Sequence, residues 1–372
     1  MARTKTKVAV YIGRMQLHHL GHDYVLQHCV KNYDVTVVLV GSAFKARDIK
    51  NPFTYQERAS ILDVWFKDLR AAHFILPLKD QTYNNPKWIQ SVQEAVNTAT
   101  QQLGLSMNQV DVTIVGSDRD NSTWYLKAFP QWNRDLIDQN PNFLGLAATQ
   151  LRERLWMGVD HSDWSEISDL TKSFLSLWKG SDSYADLVED YDWLRRYWAQ
   201  WKGPHAPVFK TVDATVIQSG HVLTITRAMR PGKGQVAVPG GFVKPHQTLL
   251  DAVIEELIDE TGIRLAEGKR WREITEQTLI GSIVAQREFD APDRDMRGRM
   301  FTTNFLFQLD DTKPLPEVSG QLVPVGDEHA GQQETVSADW RPISSARAQS
   351  EMWYGDHHGM FDTMLGLVGS NR

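Results

Sequence analysis

Cysteine is nearly absent from this chain of 372 residues: Cys29 stands alone. That excludes an intrachain disulfide and any cysteine-based zinc site. Long apolar runs are missing too, and nothing approaches the ~20 residues of a membrane-spanning helix. Nor is there an excess of basic charge, since 40 Lys and Arg against 46 Asp and Glu give a formal charge of -6. Such a balance argues against a surface built to coat nucleic acid. The basic start Met1-Ala2-Arg3-Thr4-Lys5-Thr6-Lys7 precedes an apolar run too short for a signal peptide. The expectation is therefore a cytoplasmic protein that engages neither membrane nor nucleic acid. Its length allows two domains with cores of their own.

What the chain does have begins at Gly13. The apolar run Val8-Ala9-Val10-Tyr11-Ile12 reads as a buried strand, and Asp23 to Val30 has helical spacing. Between them lies Gly13-Arg14-Met15-Gln16-Leu17-His18-His19-Leu20-Gly21-His22, an H-x-G-H array at a strand-to-helix turn. Open α/β sheets bind phosphates at such turns, through backbone N–H groups and the helix dipole. Imidazoles there can donate to charge growing on a phosphate during reaction. A plain turn carrying surface histidines would have the same local pattern.

Further apolar runs at 35–40, 73–77 and 110–115 alternate with helical patterns over 54–66 and 88–102. This alternation predicts a parallel, doubly wound sheet whose ligand lies beyond the carboxyl ends of the strands. Polar residues indeed follow each run. After the second come Lys45, Arg47 and Lys50, suited to a polyphosphate or to a solvated loop. Thr54 and Glu57 form a capping-box pattern there. After the third come Asn84 and Trp88, suited to an amide-bearing ring, although Trp88 also fits a core position. After the fourth come Gly116 and Asp118, whose carboxylate would suit ribose hydroxyls. Thr149 and Arg152 then sit at the start of another helix, where a guanidinium matches phosphate oxygens.

Together these five blocks resemble the nicotinamide mononucleotide adenylyltransferases, in the form fused to a Nudix hydrolase. The resemblance implies a Rossmann-like nucleotidyltransferase domain in which the mononucleotide phosphate attacks the α-phosphate of ATP, giving NAD and pyrophosphate. It further implies that His19 and His22 contact the reacting phosphates and that Arg14, Arg47 and Arg152 hold the phosphate chain. Trp88 would stack on nicotinamide, and Asp118 would lie near adenosine. Gly13, Lys45, Asn84, Gly116 and Thr149 complete the binding set, with Mg²⁺ on the triphosphate. The family usually carries phenylalanine, proline and phenylalanine where this chain has Met15, Leu17 and His18.

Between Trp156 and Trp201 lie six of the thirteen tryptophans, on helical stripes that read as packing. Lys202-Gly203-Pro204-His205-Ala206-Pro207 reads as a turn-rich boundary. Beyond it, two strands flank Ser219-Gly220 as a hairpin. Then come Gly240-Gly241 and a helical run carrying Glu255, Glu256, Asp259 and Glu260, closed by Thr261-Gly262. Four carboxylates on one helix repel one another unless a cation sits among them, and hard oxygen ligands suit Mg²⁺ or Mn²⁺. An acidic solvated face is the alternative without the flanking glycines.

Residues 241–263 resemble a Nudix box, a glycine loop and helix that bind metal against a diphosphate. The resemblance implies Glu256 and Glu260 as principal ligands, with Asp259 beside them and the Gly240 carbonyl joining. The family has glutamate, arginine and glutamate where Gln247, Glu255 and Asp259 stand, so a partner that orients the ligands is missing. The run Phe289 to Arg299 resembles that of ADP-ribose-directed Nudix domains. It implies Arg294, Arg297 and Arg299 around the diphosphate and terminal ribose, water attack yielding AMP and ribose 5-phosphate, and Glu328 or Glu334 as base. The resulting expectation is α/β throughout. A nucleotidyltransferase domain with a doubly wound parallel sheet spans 1–185, a helical connector 186–206, and a Nudix α/β/α sandwich with a mixed sheet 207–372. The rival is a synthase whose Nudix domain only senses ADP-ribose or braces the fold. A transcriptional regulator would need a DNA-reading module, for which the residues after Trp340 are too few and not basic enough. Transfer to phosphopantetheine is a further alternative for the first domain. Oligomeric state is left open, a homo-oligomer included.

Overall fold

The computed structural model describes residues 5–117, 121–138, 146–205, 207–320 and 334–369. It divides into two compact units, Met1–Tyr191 and Asp192–Arg372. In the first, the strands are β1 (Thr6–Gly13), β2 (Val35–Val40), β3 (His73–Pro77), β4 (Val110–Gly116) and β5 (Asn133–Leu136). The helices are α1 (Leu20–Asn32), α2 (Tyr55–Asp68), α3 (Asn85–Gln102), α4 (Ala148–Trp156), α5 (Asp169–Trp178) and α6 (Asp182–Trp198). The division into units falls inside α6, within the stretch expected to be a connector.

All five strands are parallel, in the order β3-β2-β1-β4-β5. The continuous apolar sequences of β1, β2 and β4 follow from this, because such strands are covered on both faces. Val8, Val10 and Ile12 face α3 through Val92, Val96 and Ala99, while Ala9 packs with Val25 and Cys29 of α1. Chain order reverses at β1, between β2 and β4, so the crevice beyond Gly13 and Gly116 is the topological switch point where such sheets take ligands. The polar strand β5 was not expected, since Asn133-Arg134-Asp135-Leu136 carries no apolar signal at a sheet edge.

The second unit contains β6 (Val208–Gln218), β7 (His221–Arg227), β8 (Val236–Ala237), β9 (Gly240–Phe242), α7 (Leu249–Thr261), α8 (Trp271–Gly281), β10 (Ile283–Phe289), β11 (Arg299–Gln308), β12 (Thr335–Pro342), α9 (Ile343–Ala348) and α10 (His357–Gly369). Its sheet runs β10-β11-β6-β7-β12, with β8 on β7 and β9 on β6. Among the described strand pairs β11–β6 is parallel and the others are antiparallel, so the sheet is mixed. Ser219 and Gly220 both take positive φ (47° and 73°), as the tight β6–β7 hairpin demands. Val212, Ala214, Val216, Phe305 and Phe307 pack against Ala252, Val253 and Leu257 of α7. That packing fixes the acidic helix against the sheet. Among the described residues no helix is long and apolar enough to cross a membrane.

Candidate active sites

At the mouth of the first sheet, the histidines expected to meet phosphate also build the helix behind them. His19 is the N-cap of α1 and its Nδ1 accepts from the Gly21 N–H at 3.1 Å; His22 Nδ1 accepts from the His19 N–H at 3.2 Å. With both Nδ1 atoms accepting, each neutral ring carries its proton on Nε2. The rings stack with centroids 3.8 Å apart. Hence two N–H donors are held as a pair at the positive end of α1.

The loop before them is tightly tied. Met15 and Leu17 are buried with φ of 50° and 83°, and proline cannot take the second of these values. The departure from the family at Leu17 is thus matched by a left-handed turn. Gln16 exchanges two hydrogen bonds with the Phe53 backbone, each 3.0 Å. His18, the other departure, is buried with its Nε2 2.5 Å from Asp23 Oδ1.

Two arginines expected to hold phosphate stand near this loop. Arg14 is exposed. Arg152 is buried, donates to the Gln16 carbonyl at 2.7 Å and reaches Thr149 Oγ1 at 3.1 Å. Burial, and then the charge of Arg14, lower the Arg152 pKa to about 10, so the guanidinium remains charged at neutral pH. Arg47 instead forms a two-pronged pair with Glu57 (2.7 and 2.9 Å), and Lys45 lies 3.7 Å from Asp48. A polyphosphate would compete with these carboxylates for both cations. Asn84 caps α3 by accepting from the Lys87 N–H, and Trp88 is half-buried with its centroid 5.5 Å from that of Trp124. Gly13 and Gly116 end β1 and β4; a Cβ on Gly116 would come 2.9 Å from Leu126. Asp118 lies outside the described residues.

Sequence reasoning missed Arg58. It is 2% exposed, and donates to the Gly41 carbonyl at 2.6 Å, the Thr54 carbonyl at 3.0 Å, the Ser42 carbonyl at 3.1 Å, and the Arg14 carbonyl. One side chain therefore ties the ends of β1 and β2 to the start of α2. The available signal was an arginine on the same helical face as Ile61, Leu62 and Trp65.

In the second unit, β9 brings glycine against α7. A Cβ on Gly240 would lie 2.3 Å from the Val212 carbonyl, so that position admits no side chain, and one on Gly241 would lie 2.4 Å from Glu256 Oε1 and displace that carboxylate. Glu260 accepts from the Gly240 N–H at 2.8 Å and from Thr335 Oγ1 at 3.3 Å. Burial, and then the charge of Glu334, push Glu256 up to about 8; burial and then Glu256 hold Glu260 well above the carboxylate range. Packed acidic groups of this kind, with oxygen donors only, fit a hard divalent cation. Among the described residues no group of three or more His, Cys, Asp or Glu forms a finished cage. Asp259 turns away to Arg272 at 3.0 Å. Glu334 acts on both carboxylates, whereas Glu328 lies outside the described residues.

The three arginines of the 289–299 run are engaged within the protein. Arg294, 9% exposed, pairs with Asp356 through two contacts of 3.1 Å, and Arg297 pairs with Asp295 at 2.8 Å. The half-buried Arg299 donates to the Asp290 carbonyl and lies over the Phe301 ring at 4.5 Å. The structure brings Arg294 beside Asp213 and His357, and Arg297 beside Phe242, rather than gathering all three into one open cradle.

Comparison with known proteins assigns the two halves separately. Residues 208–361 match the NUDIX domain family. The nicotinamide/nicotinic acid mononucleotide adenylyltransferase of Acinetobacter baylyi is 29% identical over 184 residues, 49% of this chain and 92% of that protein. The nicotinamide-nucleotide adenylyltransferase of Methanosarcina acetivorans is 37% identical over 84 residues, 23% of this chain and 48% of its own length. A bifunctional NMN adenylyltransferase/ADP ribose pyrophosphatase from Francisella tularensis, crystallised with AMP and a manganese ion, superposes with a TM-score of 0.82. It is 27% identical, and the match covers 97% of this chain and 99% of that one.

Proposed function

The chain joins a nicotinamide mononucleotide adenylyltransferase homologue to a Nudix domain, and we propose that it carries both activities of its two-headed structural relative. The first makes NAD and pyrophosphate from ATP and nicotinamide mononucleotide; the second hydrolyses ADP-ribose to AMP and ribose 5-phosphate. What carries this reading is the likeness to a two-activity protein along 97% of the chain.

In the first reaction a phosphate oxygen of the mononucleotide attacks the α-phosphorus of ATP, and the bond to the bridging oxygen of pyrophosphate breaks. The nucleophile is already an anion, so no covalent intermediate is required, and catalysis is positioning plus charge neutralisation. The Nε2–H groups of His19 and His22 would donate to phosphate oxygens as negative charge builds there. Arg14 and Arg152 would hold the triphosphate, Trp88 would offer its ring to nicotinamide, and Mg²⁺ would travel with ATP.

For the second reaction, Glu256, Glu260 and the Gly240 carbonyl would hold Mg²⁺ or Mn²⁺. That ion supplies Lewis acidity toward the diphosphate. Glu334 is favoured as the group that takes a proton from the attacking water, because its charge acts on both ligand carboxylates. Arg299, the most exposed arginine of its run, would be the first to meet a diphosphate.

The test incubates the purified full chain with Mg²⁺ in two mixtures. ATP with nicotinamide mononucleotide should yield NAD and pyrophosphate, and ADP-ribose alone should yield AMP. Bound but unhydrolysed ADP-ribose would replace the second activity with a sensor, and a mononucleotide left unreacted would reject the first.

A further inference from the structure

Of the five acidic residues of α7, Asp251 closes the capping box with Thr248 and the other four are divided into two pairs. Glu256 and Glu260, four apart, face Gly241 and Gly240. Glu255 and Asp259, also four apart, are each met by a cation from outside the helix. Arg272 of α8 reaches Asp259 at 3.0 Å, and Lys244 reaches Glu255 with its Nζ at 2.7 Å. The amide of Gln247 donates to the other Glu255 oxygen, and Gln247 Oε1 accepts from the Lys244 N–H at 3.1 Å. Lys244, Gln247 and Glu255 thus form a closed three-membered clasp. It ties the loop between β9 and α7 to the middle of the helix.

We propose that Lys244 is a positioning residue of the hydrolytic site, whose clasp on Glu255 holds Gly240–Gly241 in place against Glu256 and Glu260. This rests on the reading of that site as a divalent-cation hydrolase. The chain has glutamine and glutamate where its family has glutamate and arginine, so residues 247 and 255 make a hydrogen bond between loop and helix but no ion pair. Lys244 supplies the cation from the loop side, with the polarity reversed. Its charge also acts on Glu256 and Asp259, so it keeps the outer carboxylate occupied while the inner pair serves the ion. Glu255 and Lys244 are both about two-fifths exposed (36% and 41%), and an ion pair so placed contributes little to stability. Geometry rather than folding energy is therefore what the clasp provides.

The experiment uses the full chain with Lys244→Met, Lys244→Arg, Glu255→Lys and the exchange Lys244→Glu/Glu255→Lys. Mn²⁺ affinity is read by titration of free Mn²⁺ in electron paramagnetic resonance, alongside kcat for ADP-ribose. NAD formation by the first unit is the folding control. Loss of an orienting partner lowers metal affinity or activity by about 10–100-fold. Lys244→Met and Glu255→Lys should each lose that much in Mn²⁺ affinity and in kcat. Lys244→Arg and the exchange should recover most of the loss, with NAD formation unchanged throughout. Retention of wild-type Mn²⁺ affinity by Lys244→Met, or an exchange no better than Glu255→Lys, would overturn the proposal. If the wild type binds Mn²⁺ but leaves ADP-ribose intact, the hydrolytic reading fails while the titration still decides the clasp. A wild type that binds no Mn²⁺ overturns both.

Discussion

Asp213 lies in the middle of β6, 5% exposed, facing Thr302, Arg294, Asp356 and His357. Burial outweighs the pull of Arg294 and pushes its pKa from 3.8 up to about 6. A raised carboxylate means that the folded protein holds its proton more tightly than the unfolded chain. The resulting stability is fully present below about pH 4 and is lost as pH rises through about 6. The shift is worth about 3 kcal/mol. Asp213→Asn, which keeps the acceptor for Thr302, should flatten the dependence of thermal stability on pH across that window. An unchanged slope in the variant would remove Asp213 as its source. Nothing in the sequence announced this, because Asp213 alternates with valine and alanine like any solvent-facing strand residue. Thr302, Arg294 and His357, brought together from distant parts of the sequence, turn the position inward. Arg58 and Leu17 were hidden for related reasons. A buried arginine is legible only once its carbonyl partners are in place, and a positive φ at leucine leaves no mark in composition. The histidines and glycines were legible because their spacing itself does the work.

In helix α1 the residues that build the cap are also those proposed to meet the reacting phosphates. Its N-terminal cap is a reciprocal pair of imidazoles, where serine or threonine with glutamate would be the common choice. His22→Ala should therefore have two effects. Loss of the bond that His22 accepts from the His19 N–H, one half of the capping box, costs about 1 kcal/mol of stability. Loss of a donor to the developing charge lowers NAD synthesis by about 10²–10³-fold. His22→Gln separates them, since glutamine at the third helical position can reach back to the cap N–H. Its melting temperature should return toward wild type while its rate stays low. A variant with glutamine and near-normal NAD synthesis would reduce His22 to a cap. The strands β1, β2 and β4 were readable because burial on both faces demands continuous apolar sequence, whereas β5 is held by pairing with β4 and by polar side chains, Asp135 to His28 and Tyr33 and Asn133 to Asp111.

Each unit of the chain has its own sheet and core, and among the described residues the carboxylates that burial pushes upward, Asp213, Glu256, Asp259 and Glu260, lie in the second. Glu256 and Glu260, with Glu334 acting on both, make that unit's native state costly to ionise when no cation is bound. A divalent ion that binds the folded carboxylates and not the unfolded chain must then stabilise this unit. At ~100 times its dissociation constant the gain is about 2.7 kcal/mol. Because Glu256 is pushed up to about 8, ion binding displaces a proton, so Mn²⁺ affinity should rise as pH climbs toward that value. Calorimetry of the full chain in EDTA and in Mn²⁺ tests both statements. A transition should move to higher temperature with Mn²⁺, more at pH 8 than at pH 6. Glu260→Gln should abolish the movement while leaving NAD synthesis intact. If Glu260→Gln still responds to Mn²⁺ as the wild type does, the ion is held elsewhere, and the acidic face of α7 reverts to an ordinary helix surface.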